Sequence, residues 1–169
     1  MKSYFTFRLL FITGGLLSLI ILGSAYFLEY YLLLEPCPLC LLQRYLLWGI
    51  VFLFGAGALQ NCKSFGRIIY CTSTGTLSIL GIILAGRHVW LQHLPPTSEI
   101  PTCTAGFEKM LTYKPIFEVL QTILAESQSC ARVDFTILGQ SLSFWSLLFF
   151  IGLVVFSGVI IGLQIKRRI

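Results

Sequence analysis

Residues Leu9 to Leu28 carry no charged side chain, and about 20 apolar residues of helix cross a bilayer. Three further stretches are of the same kind: Leu41–Leu59, interrupted only by Arg44, then Ile68–Gly86 and Phe144–Gln164. Inside hydrocarbon every backbone amide has to be paired within its own segment, so each stretch must be helical. The expected fold is therefore an all-α integral membrane protein, a four-transmembrane-helix bundle forming one domain over residues 1–169. Composition agrees, since charged residues are 11% of the chain against about 25% in soluble domains. A water-soluble enzyme and a disordered tail are excluded on that ground. The net charge of +5 is spread along the chain and does not interleave with aromatics in one block, so nucleic acid is not an expected partner.

Orientation follows from where the basic residues sit. Lys2 and Arg8 precede the first span, Lys63 and Arg67 lie between the second and third, and Lys166, Arg167 and Arg168 close the chain. With four crossings these regions share one side, which the positive-inside rule makes cytoplasmic. All seven acids, from Glu29 to Asp134, then fall on the opposite side. Gly23-Ser24-Ala25 resembles a signal-peptidase site, but the apolar core before it is longer than the 7–15 residues of a signal peptide. It is read as a retained helix. Both termini are expected inside, with two periplasmic loops at about 29–40 and 92–143. In the second loop, Ile116, Phe117, Leu120, Ile123 and Leu124 of Pro115–Glu126 form an apolar helical stripe. This predicts a short amphipathic helix that caps the bundle or lies in the membrane interface.

That topology sorts the six cysteines. Cys37, Cys40, Cys103 and Cys130 face the oxidising side, where disulfides form. Cys62 falls in the inner loop and Cys71 within the third span, and both read as ordinary thiols. Cys37-Pro38-Leu39-Cys40 opens the second helix, where the first amides favour a thiolate over a thiol. Proline is tolerated at such a helix entry. A redox pair competes here with a structural disulfide and with half of a zinc site. Arg44 lies one turn beyond Cys40 on the same face, and a cation within a span costs about 2.5–3.5 kcal/mol on insertion scales. It either snorkels to the interface or serves a thiolate or the carbonyl of a lipid-soluble ligand.

Cys103 and Cys130 are separated by 26 residues. A bridge between them would constrain the loop by about 3–4 kcal/mol in the chain-entropy model; alternatively, two pairs on one side of the membrane can exchange electrons through mixed disulfides. Zinc ranks below redox because this second pair is not close-spaced. His88 and His93 are placed at the end of the third span, with interfacial hydrogen bonding as their expected role, ahead of a metal role and of help with the protons of a quinone. Trp48, Trp90 and Trp145 are assigned to the aromatic belt.

These residues together resemble the DsbB family of bacterial disulfide bond formation proteins. The resemblance rests on Pro36-Cys37-Pro38-Leu39-Cys40 followed by Gln43-Arg44, and on Ala85-Gly86-Arg87-His88-Val89-Trp90-Leu91-Gln92. Leu94-Pro95, Pro101-Thr102-Cys103, Cys130-Ala131, Leu138-Gly139 and Trp145-Ser146-Leu147 extend it over nearly the whole chain. It implies a thiol oxidase of the inner membrane whose partners are a periplasmic DsbA-like dithiol protein, the bilayer and membrane quinone (ubiquinone or menaquinone). It implies that Cys103 engages that partner with Cys130 beside it, that Cys37–Cys40 reoxidises the loop pair, and that Cys40 passes electrons to a quinone near Arg44. Metal, haem and flavin are not implied. The chain departs from many members around Cys130, where Arg132 replaces an acid, at Phe135, where a tryptophan is common nearby, and near Ser143, where a proline is common. A quinone reductase of the vitamin K epoxide reductase type is the enzymatic rival, but the early position of Cys37 disfavours it. A cysteine-based metal-binding membrane protein and a scaffold with two inert disulfides are the non-redox alternatives.

Overall fold

Each apolar stretch forms one helix in the computed structural model, which describes residues 2–33, 37–60, 64–93, 118 and 136–166. Helix α1 spans Lys2–Leu32, α2 Pro38–Leu59, α3 Ser64–Gln92 and α4 Leu142–Lys166. All four are long and apolar enough to cross a membrane. Successive helices pack as neighbours, α1 on α2, α2 on α3 and α3 on α4. Leu16, Leu17, Ile20, Phe52, Ile83 and Val155 face outward, as a lipid-contacting surface requires.

The inner faces follow one spacing rule. On α3 the buried residues run Arg67, Cys71, Thr74, Ser78, Gly81, Ala85, His88 and Leu91; on α4 they include Ser143, Phe150, Leu153, Ser157, Ile160 and Gln164. Steps of three and four residues keep these side chains on one face of each helix. Lipid is as apolar as leucine, so membrane helices associate through close packing and small residues. Gly81 shows this directly: a Cβ there would lie 2.4 Å from Cδ1 of Phe150. Gly57 gives the same room to Phe11, whose ring edge meets Phe54 at a centroid distance of 5.2 Å and an interplanar angle of 84°. These rings join Ile50, Leu153 and Ile160 in the main core.

The helices outrun the apolar cores at the outer end. Helix α1 continues through Glu29 to Leu32, and α3 continues past Gly86 to Gln92. Polar residues such as Arg87 and Gln92 are good helix formers, and no proline occurs in α3 before Pro95. Glu29 therefore lies on a helix rather than in a loop, and His88 within a helix rather than at its end. At the opposite end Arg67, expected as a flanking charge, is buried with its guanidinium carbon 4.7 Å from the Phe7 ring centroid.

A two-stranded hairpin, not anticipated from sequence, leads into α4. Strands β1 (Thr136–Ile137) and β2 (Gln140–Ser141) pair antiparallel, Thr136 opposite Ser141. Both turn residues have positive φ, 55° at Leu138 and 78° at Gly139. Two-residue hairpin turns of the type that matches strand twist demand this, and Gly139 meets it without steric cost. Cys62, Cys103, Cys130 and the amphipathic segment 115–126, apart from Glu118, lie outside the described residues.

Candidate functional site

The sulfur pair sits where α2 begins. Cys37 is the N-cap residue, with φ −68° and ψ 159°, and Pro38 follows in the first helical turn. The Cys40 amide donates to Cys37 Sγ at 3.4 Å, and the Leu41 amide donates to the Cys37 carbonyl at 3.1 Å. A sulfur thus takes the capping place usually held by a serine or aspartate oxygen. Proline at this point sacrifices no helical hydrogen bond, because the first amides have no intrahelical acceptor. The positive end of the α2 dipole and one amide N–H are directed at Cys37 Sγ. Cys37 and Cys40 are half-buried and not bonded to each other, with their sulfurs 3.2 Å apart.

Helix α3 supplies the group that faces them. His88 is buried, with Nε2 at 3.7 Å from Cys37 Sγ and Nδ1 at 3.9 Å from Cys40 Sγ. Ser143, from the first turn of α4, places Oγ 3.0 Å from His88 Nδ1. The Gln92 side-chain amide donates to Ser143 Oγ at 3.3 Å and lies 3.5 Å from His88 Nε2. Leu39 and Leu91, both buried, pack together beneath this cluster with Leu42 and Leu84 beside them, fixing the start of α2 against the end of α3.

Arg44 turns the other way. Its guanidinium forms an ion pair with Glu29, donates to the Ala25 carbonyl at 3.1 Å, and lies 4.9 Å from the Tyr26 ring centroid. Among the described residues these partners all belong to α1. Trp48 donates to the Tyr26 hydroxyl at 3.3 Å, bracing the same α1–α2 contact. Trp90 and Trp145 are exposed on the outer half of the bundle, as aromatic-belt residues are.

The structure thus brings together Cys37 and Cys40, sets Arg44 one turn along the same helix, and leaves Cys103 and Cys130 outside the described residues. Sequence reasoning ranked His88 first as an interfacial residue and missed the roles of Gln92, Ser143 and Glu29. The signal for His88 was available: 71, 74, 78, 81, 85, 88 and 91 is an unbroken series of three- and four-residue steps that includes the histidine. Ser143 was noted only as a departure from a common proline, and its hydroxyl is what meets His88.

Two thiols at a helix start with a buried imidazole against both sulfurs can exchange protons and electrons. In a bundle that spans the membrane, this defines an integral membrane thiol–disulfide oxidoreductase. The family model for disulfide bond formation protein DsbB matches residues 7–160. Disulfide bond formation protein B of Chromohalobacter salexigens is 39% identical over 157 residues, covering 92% of this chain and 91% of the relative. Those of Hahella chejuensis (40% over 154 residues; 90% and 92% covered) and Acinetobacter baumannii (40% over 144 residues; 83% and 84% covered) are equally similar. The chain belongs to the DsbB family. It is accordingly a multi-pass protein of the bacterial inner membrane and a protein-disulfide:quinone oxidoreductase.

Proposed function

We propose that Cys37 and Cys40 form the pair that delivers electrons to quinone, and that Cys103 and Cys130 form the pair that receives them from a periplasmic DsbA-like dithiol protein. A thiolate of the reduced partner attacks Cys103 of a Cys103–Cys130 disulfide, releasing Cys130 as thiolate. The partner's second thiolate then attacks its own mixed-disulfide sulfur, and the partner leaves oxidised. The loop dithiol next reduces the Cys37–Cys40 disulfide by the same chemistry. Each transfer moves two electrons and two protons. A bound quinone supplies the two-electron, two-proton sink that returns Cys37 and Cys40 to the disulfide.

The residues present suit a quinone. The Gln43 side-chain N–H, one turn beyond Cys40, is buried without a partner among the described residues. A buried donor of this kind costs about 1–3 kcal/mol, and a quinone carbonyl satisfies it. Arg44 has five N–H donors, of which the Glu29 and Ala25 contacts, among the described residues, leave others for a carbonyl. His88, in contact with both sulfurs and Ser143, is the group able to hold a proton while the thiols open and close. Both termini are cytoplasmic in this reading, and the sulfurs open to the periplasmic side.

The observation that carries the proposal is the sulfur pair capping α2 against the buried His88. The test is anaerobic quinone reduction by the purified chain with a reduced DsbA-like protein as donor. Loss of quinone absorbance is expected with the wild type and not with Cys40→Ser, and Cys130→Ser is expected to accumulate a mixed disulfide between donor and Cys103. Full quinone reduction by Cys40→Ser would overturn the assignment.

A further inference from the structure

We infer that the reduced chain contains a Cys2His site for a thiophilic divalent cation, formed by Cys37, Cys40 and His88. The three donor atoms lie within 4.8 Å of one another, and the measured separations are 3.2 Å between sulfurs and 3.7 Å from Cys37 Sγ to His88 Nε2. Tetrahedral zinc with bonds of about 2.3 Å to sulfur and about 2.0–2.1 Å to nitrogen sets its ligand atoms roughly 3.6–3.8 Å apart. Small side-chain rotations close the difference. A cysteine pair alone offers half a site; the histidine from α3 makes it three protein ligands among the described residues, the donor set of some catalytic zinc centres.

The surroundings orient the imidazole for this. With its proton on Nδ1 directed to Ser143 Oγ, 3.0 Å away, His88 presents the Nε2 lone pair on the side of Cys37, where the ion takes the place of the Gln92 amide that lies 3.5 Å from the same nitrogen. Metal-binding histidines are commonly held by such a contact at the other ring nitrogen, and its removal costs about 10–100-fold in affinity. Gln92 in turn holds Ser143. Binding replaces two thiol protons with one divalent ion, releases both protons to solvent, and changes no oxidation state. A Cys37–Cys40 disulfide has no thiolate to offer, so only the dithiol form binds. The ion keeps both sulfurs occupied and reduced, which halts electron flow until the metal is removed. The site requires neither quinone nor the loop cysteines.

The test uses the purified full-length chain carrying Cys62→Ser, Cys103→Ser and Cys130→Ser, reduced and without quinone or donor. Titration with Co2+ should give sulfur-to-cobalt charge-transfer and tetrahedral d–d absorption saturating at one ion per chain, and Zn2+ should bleach both. Prior oxidation of Cys37 and Cys40 should abolish the spectrum. His88→Ala should weaken binding at least tenfold, and the milder Ser143→Ala should weaken it about tenfold in a chain whose helix content is checked by circular dichroism. Absence of the spectrum while thiol titration shows Cys37 and Cys40 free would overturn the inference, as would affinity unchanged in both variants. Because no quinone or partner is present, failure here is distinct from failure of the electron relay.

Discussion

Substituting Gly81 by alanine tests the packing that sets the distance between α3 and α4. A Cβ at Gly81 would stand 2.4, 2.5 and 2.7 Å from three atoms of the Phe150 ring. Carbon atoms rest about 3.5–4.0 Å apart, so the overlap exceeds 1 Å and involves a flat ring that cannot bend away. Overpacking of this kind costs about 1–3 kcal/mol, and here the helices must separate or Phe150 must leave its rotamer. Alanine also favours helix over glycine by roughly 0.8–1.0 kcal/mol, which would mask part of the cost. Gly86→Ala removes that ambiguity: it lies on the same helix, and a Cβ there meets nothing within 4 Å. The quantity to measure is the stability difference between the two variants, by reversible denaturant titration in detergent. Gly81→Ala is expected to be the less stable by about 1–3 kcal/mol, with partial recovery when Phe150→Leu is added. Because Gly81 lies two turns below His88, quinone reduction should fall as well. Equal stability of Gly81→Ala and Gly86→Ala would refute the reasoning.

Three other outcomes are expected. Cys37, Cys40, Cys103 and Cys130 are each required for partner oxidation, since each must attack, leave or resolve, whereas the double change Cys62→Ala, Cys71→Ala retains it; loss of activity in that double variant would contradict the sorting of thiols by compartment. Arg44→Ala should raise the apparent quinone KM, and Arg44→Lys should recover only part of the effect because it keeps the charge without the planar multi-donor head; unchanged quinone kinetics together with a loss of stability would assign Arg44 to the Glu29 ion pair alone. An impermeant thiol reagent applied to intact cells should label an engineered cysteine between residues 94 and 100 and leave one beside Arg167 unlabelled, and the reverse result would invert the orientation.

The four helices were legible because hydrophobic length decides a membrane span almost alone, as the uncharged run from Leu9 to Leu28 shows. Their outer ends were not, because the polar turns after Leu28 and Gly86 are stabilised by contacts between helices, which hydropathy does not register. Cys37 and Cys40 stood out by spacing and by Pro38. Arg44 stood out by cost, but its pairing with Glu29 required knowing that α1 extends far enough to bring a carboxylate beside it. His88 was visible as a residue and misjudged in role. Its neighbours in the chain are interfacial, and only the register shared with Cys71, Ser78 and Ala85 turns it inward. Ser143 depended on a partner 55 positions away, a contact no local pattern contains.

The cluster around the sulfurs has a consequence for how the protein comes to exist. Its members arrive on three helices: the thiols on α2, His88 and Gln92 on α3, and Ser143 on α4. Synthesis delivers them in that order, so a nascent chain with only its first two helices inserted holds a bare cysteine pair with no imidazole beside it. The thiols acquire their proton-handling neighbour when α3 docks, and that neighbour is fixed in place when the last helix inserts. In the proposed relay the complete cluster is thereby a late event in biogenesis: a chain that stalls before α3 is a membrane hairpin whose cysteine pair lacks the imidazole, and one that stalls before α4 lacks the Ser143 contact to it.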